Sequence, residues 1–583
     1  MRLIRVILLL TLISCSTGKL AYRTVPLAPG EKLENHYKVG KKYMVATQGK
    51  HATEAGKKMF ELGGNAIDAA VAVSFVISVE RPQSTGIGGG GFLLFWRPGM
   101  AEPETYDFRE KAPLLAHSKM YLDQNGNEIK GKSLDGIFAG GVPGLVAGVL
   151  EAHKNYGKLP LEKVMAPAIK LAEEGFVVYP GLAKALRYKK DLLSTFPASK
   201  KIFFKNVKAD GAEVIGWEVL KEGDLLVQKD LAKTLREISV KGKDGFYKGW
   251  VADAIVKEQR RHGGLIRIND LRRYNVVKRP PVKGSYKGYE IFSMGPPSSG
   301  GIHVLQILNI VEPLNLGHYG LQDPKTIHYT ASAMQQAFAD RAKYLGDSDF
   351  VKVPIKDLTS KKYAEEVRKK IPKDKPRLGK TVFAGRFEGY ESDETTHFTI
   401  MDINGNVVSS TQTINGWFGS GLVIPKTGVV LNNEMDDFAV KVGASNLFGA
   451  IGGKNNLVEP EKRPLSSMSP TIVLKNKIPV LALGTPSGTR ILTCVAQTIL
   501  NYIEHKTDLL GAVSAVRFHQ QWSPDELRIG ESGVLLDTEK KLRRMGHKLN
   551  HKNLGCRIQA IALEDQKIIG VSDPRGQGRA DGL

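Results

Sequence analysis

The chain has 583 residues, 42% apolar and 25% charged, the balance of a globular protein with ample material for a core; it excludes a disordered, collagenous or multi-span membrane chain. Lys and Arg number 83 against 60 Asp and Glu, a formal net charge of +23, so the surface attracts anions. Without an arginine-rich recognition helix, zinc-finger spacing or a basic-aromatic stripe, nucleic acid is not the expected partner.

Arg2 and Arg5 precede an apolar run over 6–13 and the small residues Ser14, Cys15 and Ser16, which reads as an export signal over 1–14, too short to span a bilayer. Leu12-Ile13-Ser14-Cys15 resembles a bacterial lipobox. Cys15 is therefore the candidate lipidation site, and a periplasmic lipoprotein held to a membrane by its N-terminal lipid is expected. Only Cys494 and Cys556 then remain, and the domain is expected to need no disulfide.

Residues 15–37 read as a polar tether. Gly63-Gly64-Asn65 break the chain before an apolar run over 66–79, the pattern of a helix buried on most sides, which Arg81-Pro82 stops. Residues 88–91, all Gly, lead into a buried strand over 92–96; the run lacks the frame of a phosphate loop. Helical spacing recurs over 144–156, 161–175, 227–237, 252–262 and 324–345. The tract 368–380, basic and broken by Pro372 and Pro376, predicts an exposed, poorly ordered connection.

Beyond residue 394 the texture turns to strands. Segments 395–402 and 407–415 flank Ile403-Asn404-Gly405, a hairpin signal. A three-residue loop ending in a left-handed Gly405 sets Thr395 opposite Thr413 on one face; a two-residue loop sends Thr413 to the other face. The first register gives Thr395 a hydroxyl partner, although two β-branched residues also simply fill a strand. Segments 471–474 and 478–483 pair around Lys475-Asn476-Lys477, run into Gly484-Thr485-Pro486-Ser487-Gly488, and give way to a helix near Arg490. Strands and helices come in blocks, which predicts packed sheet and helix layers rather than a doubly wound sheet.

A Thr hydroxyl is a poor nucleophile unless a base adjoins it, and its own α-amine, with a pKa of about 7.7 to 8.0, can serve. Thr395 is internal, so scission between Glu394 and Thr395 would have to expose that amine.

The ordered motifs Gly63-Gly64-Asn65-Ala66-Ile67-Asp68-Ala69-Ala70, Asp107-Phe108-Arg109-Glu110, Gly295-Pro296-Pro297-Ser298-Ser299-Gly300-Gly301, Thr395-Thr396-His397, 432–438, Arg463-Pro464-Leu465-Ser466-Ser467-Met468-Ser469-Pro470 and Asp573-Pro574-Arg575 resemble those of γ-glutamyltranspeptidase precursors, which are N-terminal-nucleophile hydrolases. The resemblance runs from about residue 40 to 577. It implies an α+β fold, a four-layer αββα sandwich in which a large chain (38–394) and a small chain (395–583) share one core.

By the same resemblance, Thr395 is the self-cleaving nucleophile and Thr413 the residue bonded to it. Arg109, Ser466 and Ser467 hold the substrate α-carboxylate, for which a guanidinium and hydroxyls supply charge-assisted donors. Asn415, Glu434 and Asp437 take the α-ammonium, where acceptors are needed. Position 434 is Gln or Glu in the family. Ser487 and Gly488 occupy the oxyanion-hole position at a helix start; the commonest bacterial pattern there is Gly-Gly, so Ser487 has less backbone freedom. Residues 438–451 match the lid loop, with Phe448 in place of a tyrosine whose hydroxyl could bond Asn415, which implies looser gating.

The expected activity is transfer of the γ-glutamyl group of glutathione and related amides to water, amino acids or peptides through a Thr acyl-enzyme, without metal or other cofactor, by a heterodimer cut from one precursor. The rival readings are an amidase of the poly-γ-glutamate or cephalosporin acylase type, and an uncleaved envelope lipoprotein that binds anions.

Overall fold

The computed structural model describes residues 27–208, 214–382, 395–444, 446, 447 and 449–583. The export signal, Cys15, Glu394 and Phe448 lie outside the described residues. In chain order, β1 (Tyr37–Gly40) and β2 (Tyr43–Thr47) precede α1 (Ala66–Glu80), and β3 (Gly90–Trp96), β4 (Glu104–Asp107) and α2 (Leu145–Tyr156) follow. After a mainly helical stretch come β5 (Val282–Tyr286), β6 (Tyr289–Ser293), α3 (Gly300–Val311) and α4 (Pro324–Tyr344). The remainder holds β7 (Thr396–Asp402), β8 (Val407–Thr413), β9 (Thr471–Lys475), β10 (Ile478–Gly484), α5 (Arg490–Ile499), β11 (Gln559–Glu564), β12 (Lys567–Ser572) and β13 (Arg579–Gly582).

These strands form a six-stranded sheet in the order β13-β2-β7-β8-β3-β4 and a seven-stranded sheet in the order β1-β12-β11-β10-β9-β6-β5. Period-two alternation sorts the side chains of the six-stranded sheet. Val45, Leu93, Phe95, Phe398, Ile400 and Val408 pack with α1 and α2 in one apolar cluster. Their neighbours Met44, Ala46, Phe92, Leu94, Trp96, Met401 and Val407 join the seven-stranded sheet and helices α3, α4 and α5 in a second. The first sheet is thus buried on both faces.

Helix α1 is buried at every residue, and its start is fixed by Asn65, whose side chain accepts from the amides of Ile67 and Asp68 while Asp68 accepts from Asn65 N. Such a capping box contributes about 1 kcal/mol. The β7–β8 hairpin pairs Thr396 with Gln412 and Met401 with Val407, and Gly405 closes its loop at φ +82. This is the register of the three-residue loop.

The structure corrects two expectations. Cys494, on α5, and Cys556 form a disulfide across a sequence separation of 62; the two thiols sit on segments that the fold packs together, which a cysteine count does not reveal. The tract 368–380 is exposed at Lys369, Lys370, Lys373, Asp374, Lys375, Leu378 and Lys380, as expected, but it is docked at the residues between them: His328 bonds Pro372 O at 2.7 Å, and Gln335 Nε2 donates to Arg377 O at 3.1 Å. Arg377 in turn donates to Gln336 Oε1 at 3.0 Å, and Ile371 is buried. The prolines end the helix, but the carbonyls and the Arg377 guanidinium they free find partners on α4. Of the expected tether, the described residues are mostly exposed but touch the domain, with Ala28 N donating to Pro574 O at 2.9 Å and His36 buried.

Candidate active site

The hairpin carries Thr395 to the N-terminal edge of β7, where its Oγ1 donates to Thr413 Oγ1 at 3.4 Å, and Thr413 Oγ1 also accepts from Asn415 N at 2.8 Å. Both threonines are buried. The preceding Gly run is explained here, because a Cβ on Gly89 would stand 1.9 Å from Thr413 O. Only Gly allows the backbone so close. His397, two residues from Thr395, bonds Thr411 Oγ1 at 2.8 Å and Thr399 Oγ1 at 3.0 Å. Burial lowers its pKa to about 3, so it stays neutral among strand hydroxyls.

Thr395, Thr413, Asn415, Arg109, Glu434, Asp437, Ser466, Ser467 and Gly488 line one small pocket with about 20 Å³ of free space, room for about one water. The residues assigned to opposite ends of a substrate meet each other inside it. Arg109 donates through Nη1 to Glu434 Oε1 and through Nη2 to Asp437 Oδ2, and its Nε donates to Pro464 O at 3.2 Å. Asn415, at φ +71, donates through Nδ2 to Asn433 O at 2.9 Å.

Burial opposes charge on Arg109, but Glu434, Asp437 and Glu110 together raise its pKa. Burial also raises Glu434, and Arg109 opposes that shift. Glu110, whose Oε2 lies 3.7 Å from Arg109, is pushed up to about 7 by burial. Three carboxyls thus share one guanidinium, and burial favours keeping protons among them. Asp436 takes a structural part instead: it accepts from Ser133 Oγ and Leu447 N, both at 2.7 Å.

Ser466 N donates to Pro297 O at 2.8 Å, and Ser466 Oγ accepts from Met468 N at 3.1 Å, which ties the Ser466-Ser467 turn to the loop before α3. Sequence reasoning missed Arg341 on α4, which also lines the cavity. Its Nε donates to Ser299 Oγ at 3.1 Å, and burial lowers its pKa to about 10, with Asp437 opposing. The one available signal was an Asp340-Arg341 pair on an otherwise buried helix.

Ser487 and Gly488 precede α5 at φ +114 and +51. The positive φ is ordinary for Gly and strained for Ser. The Ser487 side chain turns away from the cavity: its Oγ donates to Leu554 O at 2.6 Å, and Arg490 Nε donates to the same carbonyl at 2.8 Å. Leu554 lies two residues from Cys556, so the disulfide braces this loop. The loop 438–451, expected to act as a lid, contacts the pocket through Asn446 Nδ2, which donates to Asp437 Oδ1 at 2.7 Å.

A family profile described as Gamma-glutamyltranspeptidase matches residues 52–583. The chain is 43% identical over 565 residues to a glutathione hydrolase proenzyme of Escherichia coli (strain K12), covering 96% of this chain and 95% of that protein. A solved cephalosporin acylase from Bacillus halodurans matches with a TM-score of 0.81 at 27% identity, covering 96% of this chain and 99% of that one. Helicobacter pylori gamma-glutamyltranspeptidase matches with a TM-score of 0.56 at 45% identity, covering 60% of this chain and 96% of that one.

Proposed function

The chain belongs to the γ-glutamyltranspeptidase family, and on that premise we propose how its residues divide the work of a self-cleaving γ-glutamyltransferase and glutathione hydrolase. The observation that carries the reading is the Thr395 hydroxyl, paired with Thr413 on the wall of a small pocket whose other wall sets Arg109 against Glu434 and Asp437.

In maturation, Thr395 Oγ1 attacks the carbonyl carbon of Glu394, the peptide C–N bond breaks, and the amine takes the hydroxyl proton. Water then hydrolyses the ester, leaving a carboxylate on Glu394 and a free amine on Thr395. In turnover the same hydroxyl attacks the γ-carbonyl of the donor. The α-amine accepts its proton and passes it to the leaving amine. The amides of Ser487 and Gly488 receive the oxyanion, a contribution of about 10²–10³ in rate per donor. Water or an amine then releases the γ-glutamyl group.

Recognition follows from the unliganded ion pairs. A glutamyl group carries one carboxylate and one ammonium on its α-carbon, so it splits the Arg109 pairs with a new partner for each half: the carboxylate goes to Arg109, Ser466 and Ser467, and the ammonium to Asn415, Glu434 and Asp437. A glutaryl donor lacks the ammonium and would leave two buried carboxylates uncompensated. This disfavours the acylase reading, and comparing kcat/KM for the two donors tests it.

The helices outside both sheets support a four-layer αββα sandwich. No helix among the described residues is long and apolar enough to cross a membrane; we assign attachment to a lipid on Cys15, checked by mass spectrometry of the mature protein. For the enzyme, the decisive experiment is a denaturing gel with N-terminal sequencing and a glutathione assay. The smaller chain must begin at Thr395, and full activity in unsevered protein would overturn the mechanism.

A further inference from the structure

Near its C-terminal end, helix α4 carries an adjacent acid and base that do not pair. Asp340 turns to neutral partners: Tyr363 Oη donates to its Oδ2 at 2.8 Å, Gln306 Nε2 to the same oxygen at 2.5 Å, and Gln336 Nε2 to Oδ1 at 3.1 Å. Arg341 turns to the donor pocket, which it lines beside Thr395 and Asp437.

Arg341 is only 5% exposed, and among the described residues its side chain makes one bond, from Nε to Ser299 Oγ at 3.1 Å. Ser299 Oγ donates in turn to Ser466 O at 2.9 Å. The guanidinium is thereby fixed against the Ser466-Ser467 turn, while Nη1 and Nη2 have no acceptor and are not sealed from accessible surface. A buried cation without a contacting anion is costly.

The charges around it supply a reason for that cost. Asp437 favours charge on Arg341 and Arg109 opposes it, while His303 on α3 stays neutral, its pKa lowered to about 3 by burial with Arg341 adding to the shift. Burial raises the Asp437 pKa, and Arg109 and then Arg341 hold it down. Glu110 and Asp436, both pushed up to about 7 by burial, are mostly neutral below that pH. Glu434 and Asp437 are left facing two guanidiniums, of which only Arg109 touches them.

A donor carboxylate arriving on Arg109 takes away the one cation in contact with Asp437. Asp437 then keeps Asn446 Nδ2 on Oδ1 at 2.7 Å, but an amide does not replace a charge, and burial would return a proton to the acid. A neutral acid attracts the donor ammonium far less. We propose that Arg341 is a positioning residue, the standing counter-charge that keeps Asp437 ionised while a donor occupies Arg109, and that it thereby sets the preference for donors bearing an α-ammonium. The proposal rests on the γ-glutamyl reading above and deepens it to the choice of donor.

The test compares γ-glutamyl-p-nitroanilide with glutaryl-p-nitroanilide, which keeps the carboxylate and lacks the ammonium, on mature cleaved enzyme from pH 5 to 9. Arg341→Met is expected to lower kcat/KM for the glutamyl donor about tenfold and to spare the glutaryl donor. Its acid limb should move about one unit to higher pH, since Asp437 without a neighbouring cation ionises later. Arg341→Lys retains the charge and should restore both the donor ratio and the limb. Equal losses on the two donors with an unmoved limb would mean that Arg341 only supports the pocket or binds the carboxylate itself, and overturn the proposal. If Arg341→Met does not mature, Arg341→Lys decides: a collapsed donor ratio despite the retained charge is equally fatal. Wild-type enzyme that releases no p-nitroaniline from the glutamyl donor defeats the transferase reading instead.

Discussion

Thr395 Oγ1 and Thr413 Oγ1 face each other at 3.4 Å across the open end of the β7–β8 hairpin, and the Asn415 amide holds Thr413 from behind at 2.8 Å. A hydroxyl at the start of a strand has little rotamer freedom when its neighbour is fixed in this way, as the proposed nucleophilic role requires. Thr395→Ala is expected to give a single full-length chain with no turnover. Thr413→Ala keeps the nucleophile but loses its partner, and is expected to slow cleavage about ten- to hundredfold, followed as band conversion over time.

Arg109 binds two carboxyls through separate nitrogens, a geometry that a lysine point charge cannot copy. Arg109→Lys should raise the donor KM by about ten- to hundredfold while the chain still cleaves. Arg109→Met leaves the carboxyls buried without a counter-charge and should destabilise the fold by about 3 to 5 kcal/mol, read by denaturant unfolding.

Asp436 gives a pH prediction of definite sign. Burial raises its pKa from 3.8 to about 7, so the folded state binds a proton that the unfolded state releases. Its contribution to stability is fully present below about pH 3.8 and is lost as the pH rises through about 7. Asp436→Asn mimics the protonated acid. Melting curves from pH 5 to 8 should therefore fall less steeply in the variant than in the wild type.

The Cys494–Cys556 bond closes a loop across 62 residues, worth about 4 kcal/mol in the chain-entropy account. Cys556→Ser should lower Tm by several degrees. It should also reduce kcat more than it raises donor KM, because Leu554, whose carbonyl holds Ser487 and Arg490, loses its nearby anchor.

Local rules made much of this fold legible. Alternation and turn residues gave the β7–β8 register, and Asn65 with its apolar run gave α1, since both depend on neighbours in sequence. What could not be read depends on long-range placement: Cys494 beside Cys556, the docking of Arg377 on Gln336, and Arg341 entering a cavity built from distant loops. The direct pairing of Arg109 with Glu434 and Asp437 was equally out of reach, because motif reasoning assigns each residue to a ligand and not to its opposite number.

The order of the six-stranded sheet bears on what a nick ahead of Thr395 can do. Strands β2, β3 and β4 come from one side of that point and β7, β8 and β13 from the other, with β2 held between β13 and β7. Each fragment is thereby clasped by the other through backbone ladders, so the pieces have no independent folded form to which dilution could drive them. Losing either one means melting the whole sheet, and the affinity of the pair is inseparable from the stability of the domain.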